Sequence, residues 1–542
     1  MSREQQADFD VIAVGAGFAG LALIHHAREA GLSIRVFDKA SDIGGTWTWN
    51  RYPGAASDSE CYYYCLTFSK ELLQDWSWSV RYPGWEENHR YMHFVADRCD
   101  MWPHIQLNTP VVRADFQEDT GLWRIQTAGG EEFTCRYFIS AMGMISEPII
   151  PEFKGMDTFK GPLFHSARWP AEGIDYAGKR IAIIGSGATT VQMLPVVAQT
   201  AANVTVFQRT ANFIMPAVQK QMTPEWEKEI KANYDAIIAK CRNHVFAMAF
   251  DSPVGRTIAD TPPDEVQRIL EEHWPRGSFR FVFETFDDLL TNAESNRIVG
   301  EFVLRKTLEQ VNDPDVREML TPKGYPFFAK RPPLDHGFFP TFNRENVKLV
   351  DIGNREPIVE ITETGIRTTK QHYEFDIIVL ATGFQAYTGG QEALPIRGSN
   401  GLLLRDKWED VSGSIMGVFA AGFPNFFMIT GPQAPFANLP VSIEENTIYI
   451  INCIKKMKAE GHALCVPKLD AEEAWVAETA DIHRQTLMAQ GDKVHSWMMG
   501  ANLANRSPRV LIYFGGANVY YEKLRQSAAA GFPEVDFEAV AG

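Results

Sequence analysis

Cysteine is scarce in this sequence and is not arranged for redox or metal chemistry. Seven cysteines are scattered over 542 residues, without a C-x-x-C pair and without a cysteine–histidine cluster at zinc spacing. An odd number of dispersed thiols argues against a disulfide framework and predicts reduced cysteines in a cytoplasmic protein. We therefore expect no metal site.

Long apolar runs and basic stretches are also missing. No run approaches the ~20 apolar residues that span a membrane, and the polar start of the chain lacks the layout of a signal peptide. Acidic residues outnumber basic ones by 68 to 52, for a net charge of −16, which disfavours nucleic acid or an anionic membrane as partner. We expect a cytoplasmic monomer or weak homo-oligomer that acts on a small molecule.

Glycine marks the most informative segments of the chain. Residues 15–20 (GAGFAG) follow the apolar run Phe9–Val14 and precede a helical pattern and a second strand at 33–37. The same order recurs at Arg180–Ile184, followed by residues 185–190 (GSGATT), a helix from Val191 and a strand at 203–207. Two strand–turn–helix–strand units predict an α/β fold with two Rossmann-like dinucleotide-binding domains.

The residue after each second strand distinguishes the two turns. Asp38 follows the first, and a carboxylate there binds the hydroxyls of an adenosine ribose and repels a 2′-phosphate. Arg209 and Thr210 stand at the equivalent place in the second unit, where a guanidinium suits a 2′-phosphate. We therefore predict FAD in the first site and NADPH in the second, although Asp38 could also be a simple turn residue and Arg209 a surface arginine. The candidate contacts are Gly15, Gly17, Gly20 and Asp38 for FAD, and Gly185, Ser186, Gly187, Thr189, Thr190, Arg209 and Thr210 for NADPH.

Between these units and the C-terminus the sequence pattern changes. Amphipathic helical patterns at 226–245, 263–274 and 294–311 predict a helical insertion at 222–320. Strands return at 347–352 and 375–380. The expected domains are therefore interleaved: 1–145 with 383–542 for FAD, and 146–221 with 321–382 for NADP.

Two further segments carry a family resemblance. Residues 44–58 (GGTWTWNRYPGAASD) and 159–170 (FKGPLFHSARWP) resemble the two signature motifs of the Baeyer–Villiger monooxygenases, class B flavin monooxygenases that convert ketones to esters or lactones. The Trp-Pro ending favours this family over N-oxygenating relatives, and Ala171 departs from its usual Asp or Gly. The matching positions are Gly45, Trp47, Tyr52, Pro53, Gly54, Asp58, Phe159, Gly161, His165, Trp169 and Pro170.

The resemblance also implies roles for particular residues. Residues 328–333 (FAKRPP) look like the segment that carries the family's catalytic arginine, here Arg331, with Asp58 as its partner and Lys330 as a second 2′-phosphate contact. His165 is interpreted as structural. A mobile loop at 497–506 would close over the nicotinamide, although its sequence departs from the common pattern after Asn502. Further implied cofactor contacts are Thr46, Trp47, Trp49, Tyr64, Val111, Leu439 and Trp497.

The function implied is an NADPH- and O₂-dependent Baeyer–Villiger oxidation through a flavin C4a-peroxide, with sulfoxidation of thioethers as an expected side activity. Two alternatives remain open at this point. One is an enzyme of the same scaffold that oxygenates sulfur or nitrogen. The other is an NADPH oxidase or reductase type of flavoprotein.

Overall fold

Two β-sheets, each built around a parallel strand–turn–helix unit, organise the computed structural model, which describes residues 7–503 and 506–539. This confirms the predicted α/β class with two Rossmann-like units. The strands Phe9–Val14 and Arg180–Ile184 lie at the bounds expected from their apolar runs.

The first sheet has eight strands and combines parallel and antiparallel pairs. Phe9–Val14 runs in its middle, parallel to both neighbours, and its side chains are buried on both faces. The helices Phe18–Glu29 and Leu439–Glu460 cover the face that carries Val11 and Ala13, and Ile12 on the other face packs in a separate apolar cluster. In spatial order the strands are Ile396–Arg397, Val111–Gln117, Leu122–Thr127, Glu132–Ser140, Phe9–Val14, Ile34–Phe37 and Ile105–Gln106, with Phe426–Met428 also paired to Glu132–Ser140.

The second sheet has five strands, all parallel. Ala188–Val197 is the helix of its glycine-turn unit, and it begins three residues before the predicted start at Val191. The prediction was wrong there because the last residues of the turn, 188–190, form the first helical turn directly after Gly187. In spatial order the strands are Val347–Asp351, Asn203–Gln208, Arg180–Ile184, Ile377–Leu380 and Leu163–His165.

Helices dominate the expected insertion. The pattern at 226–245 is two helices and not one, since Asn233 has a φ of −119° and ends the first helix, with its side-chain amide donating to the Glu229 carbonyl at 2.8 Å. The other two patterns form single helices within a few residues of their predicted ends. The helices are Pro224–Ala232, Tyr234–Asn243, Pro263–His273, Ser278–Phe283, Ala293–Leu308 and Pro314–Leu320.

Smaller elements complete the described chain. No helix in residues 7–503 and 506–539 is both long and apolar enough to cross a membrane. The remaining helices are Thr46–Trp49, Lys70–Asp75, Trp85–Arg98, Phe338–Thr341, Gly389–Ala393, Leu404–Lys407, Leu469–Arg484 and Ala517–Ala529. The remaining strands are Met215–Pro216, Leu334–Asp335, Ile358–Thr362, Gly365–Thr368, His372–Glu374, Leu464–Pro467 and Val535–Glu538.

A buried charge cluster joins the helical insertion to the first sheet's unit. The Glu60 carboxylate, 1% exposed, accepts hydrogen bonds from Arg81 at 2.9 Å and from Arg280 at 2.7 Å. Arg280 also donates to Glu284 at 2.7 Å. Burial alone would raise the pKa of Glu60, but the charges of Arg280 and Arg81 hold it below its ordinary value. The carboxylate therefore stays charged and, together with Glu284, offsets the charges of the two guanidiniums.

Glu60→Gln should lower the free energy of unfolding by about 3–5 kcal/mol, because removing one partner leaves buried charge without compensation. The matched control is Asp235→Asn, which breaks an ion pair with Lys70 in which both side chains are 78% exposed; it should change stability far less. Urea unfolding monitored by circular dichroism checks both. Equal effects of the two substitutions would contradict this account of the cluster.

Candidate functional site

One cavity of about 1250 Å³ reaches from the first sheet to the second and is lined at the carboxyl ends of their central strands by Val14, Gly15, Ile184 and Gly185. Ligands of open α/β sheets bind at this end of the strands. Typical small-ligand pockets measure about 300–1000 Å³. The cavity exceeds that range and contacts both glycine turns, so it can hold two dinucleotides together.

The predicted site residues converge on this cavity with two exceptions. Gly20 and Thr190, the third positions of the two turns, do not line it. A Cβ on Gly20 would lie 2.2 Å from the Gly15 carbonyl oxygen, so this glycine permits close packing of helix against strand. Thr190 is fully buried, and its hydroxyl donates to the Gly185 carbonyl at 2.9 Å. Both residues therefore shape the turn, and their contact with a cofactor stays a prediction.

The first turn leaves a helix N-terminus open toward the cavity. The helix Phe18–Glu29 begins after Gly17 without a side-chain cap, so its first N–H groups remain for an anion. Gly17 also lies close to Gly45 in the motif at residues 44–58, because a Cβ on Gly17 would be 3.3 Å from Gly45 Cα. This narrow backbone cradle fits a pyrophosphate.

Asp38 also stabilises the first turn, a role that its position in the sequence does not indicate. Its carboxylate accepts the N–H of Ala16 at 2.7 Å and that of Ala40 at 2.8 Å, and thereby braces the first turn. Burial raises the pKa of Asp38, while these two hydrogen bonds oppose the rise. Asp38 still lines the cavity, and since a carboxylate has about four acceptor positions, ribose hydroxyls can bind as well.

The second turn presents a similar cradle. The helix Ala188–Val197 also begins without a side-chain cap, after Gly187. A Cβ on Gly187 would meet no atom within 4 Å, which leaves open space for a ligand beside it. Ser186 donates to the Thr210 carbonyl at 3.0 Å and so ties the turn to the end of the next strand.

Two cations stand at this second cradle without an acidic partner. Arg209 and Lys330 both line the cavity, and neither has a carboxylate within ion-pair distance in the described part of the chain. Burial lowers the pKa of Lys330 to about 8, and the nearby charge of Arg209 adds to the shift. Mutual repulsion of this kind is relieved by a bound dianion.

Arg331 and Asp58 form an ion pair inside the cavity, as the motif comparison led us to expect. Their side chains are 21% and 13% exposed. Gln192 holds the pair from the other domain: its amide donates to the Ala56 carbonyl at 3.0 Å and lies 3.5 Å from Asp58, and its oxygen accepts the Tyr52 hydroxyl at 2.8 Å. Sequence reasoning missed Gln192, because nothing in the helical pattern marks it.

One part of the cavity lining, here called the flavin-side wall, is formed by Gly45, Thr46, Trp47, Trp49, Tyr64 and Val111. Trp49 lies between two cations, with the Arg168 guanidinium 4.8 Å and the Lys39 ammonium 5.7 Å from its ring centre. The Trp47 and Tyr64 rings meet edge to face at 5.9 Å. Arg168 belongs to the second signature, so Trp49 couples the two signature segments.

An apolar wall closes the cavity beside the ion pair. Phe436 contacts Trp497 at 5.9 Å and Phe246 at 5.6 Å between ring centres, and Leu439 begins its helix next to them. The helical insertion supplies part of this wall, which sequence reasoning did not foresee because its aromatic residues are also typical of a core. The contributors from the insertion are Phe246, Met248 and Phe279.

The loop that begins at Trp497 lies over the cavity in the described residues. Trp497, Asn502, Leu503 and Arg506 line it, and the Arg506 guanidinium donates to Glu392 at 2.7 Å. Ala504 and Asn505, part of the predicted departure from the family's loop, lie outside the described residues.

His165 does not line the cavity. Its Nδ1 accepts the Ala167 N–H at 3.0 Å and its Nε2 lies 3.1 Å from the Gly383 carbonyl oxygen. Burial lowers its pKa to about 4. With both ring nitrogens engaged by backbone, the imidazole braces the crossing between domains, which agrees with a structural role.

Comparison with known proteins agrees with this geometry. The family model described as "Flavin-binding monooxygenase-like" matches residues 9–250. A Baeyer–Villiger monooxygenase of Pseudooceanicola batsensis is 40% identical over 97% of this chain and 96% of its own length. A phenazine N-monooxygenase of Lysobacter antibioticus is 39% identical, with 97% and 96% covered.

Solved structures are similar over the whole chain. The crystal structure of cyclohexanone monooxygenase from Rhodococcus sp. Phi1 bound to NADP⁺ superposes with a TM-score of 0.94 at 36% identity, covering 98% of this chain and 99% of that one. The structure of OTEMO in complex with FAD and NADP gives 0.93 at 34% identity, with 98% and 100% covered.

Proposed function

This chain belongs to the Baeyer–Villiger monooxygenases among the flavin-binding monooxygenases, and we propose that Arg331 and Asp58 form the charged pair at its reacting centre. The enzyme uses NADPH and O₂ to insert one oxygen atom next to a ketone carbonyl, giving an ester or lactone. The observation that carries the residue assignment is the ion pair itself, which lies in a cavity shared by both dinucleotide cradles.

FAD and NADPH are the cofactors. When bound, FAD would supply the redox chemistry with O₂, and NADPH would supply the hydride. We assign the pyrophosphate of FAD to the cradle of Gly15 and Gly17, its ribose to Asp38, and its ring system to the wall around Trp47 and Tyr64. The other members of this set are Gly45, Thr46, Trp49, Val111 and Leu439.

The second cradle holds the pyrophosphate of NADPH at Gly185, Ser186, Gly187 and Thr189. The 2′-phosphate binds Arg209 and Lys330, with Thr210 beside them, because two unpaired cations require an anion to offset their repulsion. NADPH is therefore favoured over NADH. We assign Trp497, which lines the cavity next to Phe436, to the nicotinamide ring of NADPH.

Arg331 acts by charge and position. Its guanidinium carries a delocalised positive charge, and its pairing with Asp58 orients it before negative charge develops on the substrate's carbonyl oxygen. Gln192 fixes Asp58 and so acts as a positioning residue. The apolar wall of Phe246, Phe436 and Leu439 excludes water and suits an apolar ketone.

A second activity has specific support. The phenazine N-monooxygenase of Lysobacter antibioticus is nearly as similar to this chain as the ketone-oxidising relative. We therefore propose that the same site also oxygenates soft heteroatoms, thioethers first and aromatic nitrogen second.

The broader assignments follow the same reasoning. We propose FAD-binding at 1–145 with 383–542, NADP-binding at 146–221 with 321–382, and an insertion at 222–320 that supplies part of the substrate wall. All seven cysteines are free thiols, which supports a reducing, cytoplasmic location. We further propose a monomer or weak homo-oligomer that does not bind membranes.

The activity is tested with purified enzyme, NADPH and four substrates: a cyclic ketone, an aryl ketone, a thioether and an aromatic nitrogen heterocycle. We expect ester or lactone from at least one ketone, sulfoxide from the thioether, and NADPH consumption that matches product formed. NADPH consumption that yields H₂O₂ in place of organic product would identify an oxidase and contradict the proposal.

Arg331→Ala should leave the reduction of FAD by NADPH intact but lower ester formation by about 10²–10³-fold, because preoriented charge at the developing oxyanion is lost. Stopped-flow flavin absorbance measures the first step and product analysis the second. Arg331→Lys, which keeps a positive charge, should retain more activity than Arg331→Ala. Ester formation by Arg331→Ala at the wild-type rate would refute the role.

The preference for NADPH should depend on pH. Lys330 loses its charge as pH rises through about 8, so the ratio of kcat/KM for NADPH to kcat/KM for NADH should fall above that pH. At every pH Arg209→Ala should lower the same ratio by about tenfold or more. The control is Arg367→Ala, whose arginine pairs with Glu360 outside the cavity. A ratio that is constant with pH and equal in all variants would count against this phosphate site.

A further inference from the structure

Two histidines and an aspartate lie close together next to the start of residues 44–58, outside the cavity. His89 and His93 lie one turn apart on the helix Trp85–Arg98, and Asp42 faces both from the loop that precedes Gly44. The Asp42 carboxylate oxygens are 3.2 Å from His89 Nε2 and 2.9 Å from His93 Nε2. The three ligand atoms lie within 4.8 Å of one another, and no other such cluster occurs among the described residues.

Both Nε2 atoms are buried, and neither meets hydrogen-bond geometry with a partner in the described chain, although the Asp42 carboxylate oxygens lie close by. Buried polar atoms without partners cost free energy and are rare in folded proteins. A cation coordinated by all three groups would satisfy both nitrogens and the carboxylate at once.

We propose that Asp42, His89 and His93 bind a divalent transition-metal ion of the Zn²⁺ class. Two imidazoles at i and i+4 on one helix, with one carboxylate, form a donor set that zinc uses when a fourth position stays open to water. Mg²⁺ and Ca²⁺ prefer oxygen ligands and do not fit. The side chains of His89, His93 and Asp42 are 16%, 32% and 29% exposed, so the cluster lies near the surface while its two Nε2 atoms are covered.

The charged groups around the cluster are compatible with a bound divalent cation. The Asp42 carboxylate supplies negative charge next to both imidazoles, and metal ions bind imidazole in its neutral form. Arg51 is the nearby cation that opposes an ion here; its guanidinium lies over the Trp85 ring, 5.6 Å from the ring centre, and the Asp42 charge offsets it.

Two of the proposed ligands, His89 and Asp42, contact the chain where residues 44–58 begin. A Cβ on Gly44 would lie 2.9 Å from His89 Cδ2, so the ring packs directly on this glycine. Asp42 also accepts the Ile43 N–H at 2.8 Å, and Gly44 and Gly45 line the cavity. A metal ion that joins Asp42 to the helix would hold the start of residues 44–58 in place.

The test is calorimetric titration of the chelator-treated, FAD-loaded enzyme with ZnCl₂. We expect saturable binding of a single equivalent, no comparable binding of MgCl₂, and a higher midpoint of thermal unfolding with zinc. His93→Gln should weaken zinc binding by about tenfold or more. Asp42→Asn should do the same while keeping an oxygen that accepts the Ile43 N–H.

The matched control is His372→Gln, whose histidine lies on the exposed strand His372–Glu374 and should leave zinc affinity unchanged. Flavin absorbance and circular dichroism establish that each variant is folded and loaded. The proposal is overturned by absence of zinc binding in wild type, by equal affinity in His93→Gln and wild type, or by equal loss in His372→Gln. These readouts do not use turnover, so they are independent of the proposed activity.

Discussion

The ion pair between Asp58 and Arg331 imposes the tightest constraint on this molecule. Its partners come from segments more than 270 residues apart in the chain, one on the flavin-side loop and one on the segment that follows the helical insertion. Gln192, from the helix of the second glycine turn, holds the aspartate side of the pair. The two nucleotide units must therefore be correctly placed relative to each other before the proposed reacting centre can form.

Close backbone approach fixes the shape of the glycine turn within each unit. At Gly20 a single added carbon would collide with the Gly15 carbonyl, and Asp38 ties the same turn to the neighbouring strand through two N–H groups. The second unit solves the same problem differently, since Thr190 fills the third position and bonds to Gly185 with its hydroxyl. The preference for glycine at the third position of such a turn is thus a requirement for space between helix and strand, which a small polar side chain can also satisfy.

The helical insertion shows where reading the sequence was least informative. Three helical patterns were anticipated from their period, yet the helices Ser278–Phe283 and Pro314–Leu320 were not. The break at Asn233 was also missed, because a single polar residue inside a helical pattern carries no strong stop signal. Phe246, Met248 and Phe279 were not recognised as cavity residues, since apolar side chains that face a ligand and those that face a core look alike in sequence. The histidine pair of His89 and His93 was also overlooked, because its acidic partner, Asp42, lies 47 residues before His89.

Local patterns determined a great deal by themselves: the α/β class, both glycine turns and the identity of both cofactors. They also predicted Arg331 as the arginine of the proposed reacting centre. Each of these depends on residues close together in the chain, where short spacing imposes backbone geometry directly. Other features were decided only by the tertiary structure: the Gln192 bridge, the distance of Arg209 and Lys330 from every carboxylate of the described residues, the apolar wall and the convergence of Asp42 on two imidazoles. They depend on distances between residues remote in sequence, and those distances follow from packing, which no local pattern encodes.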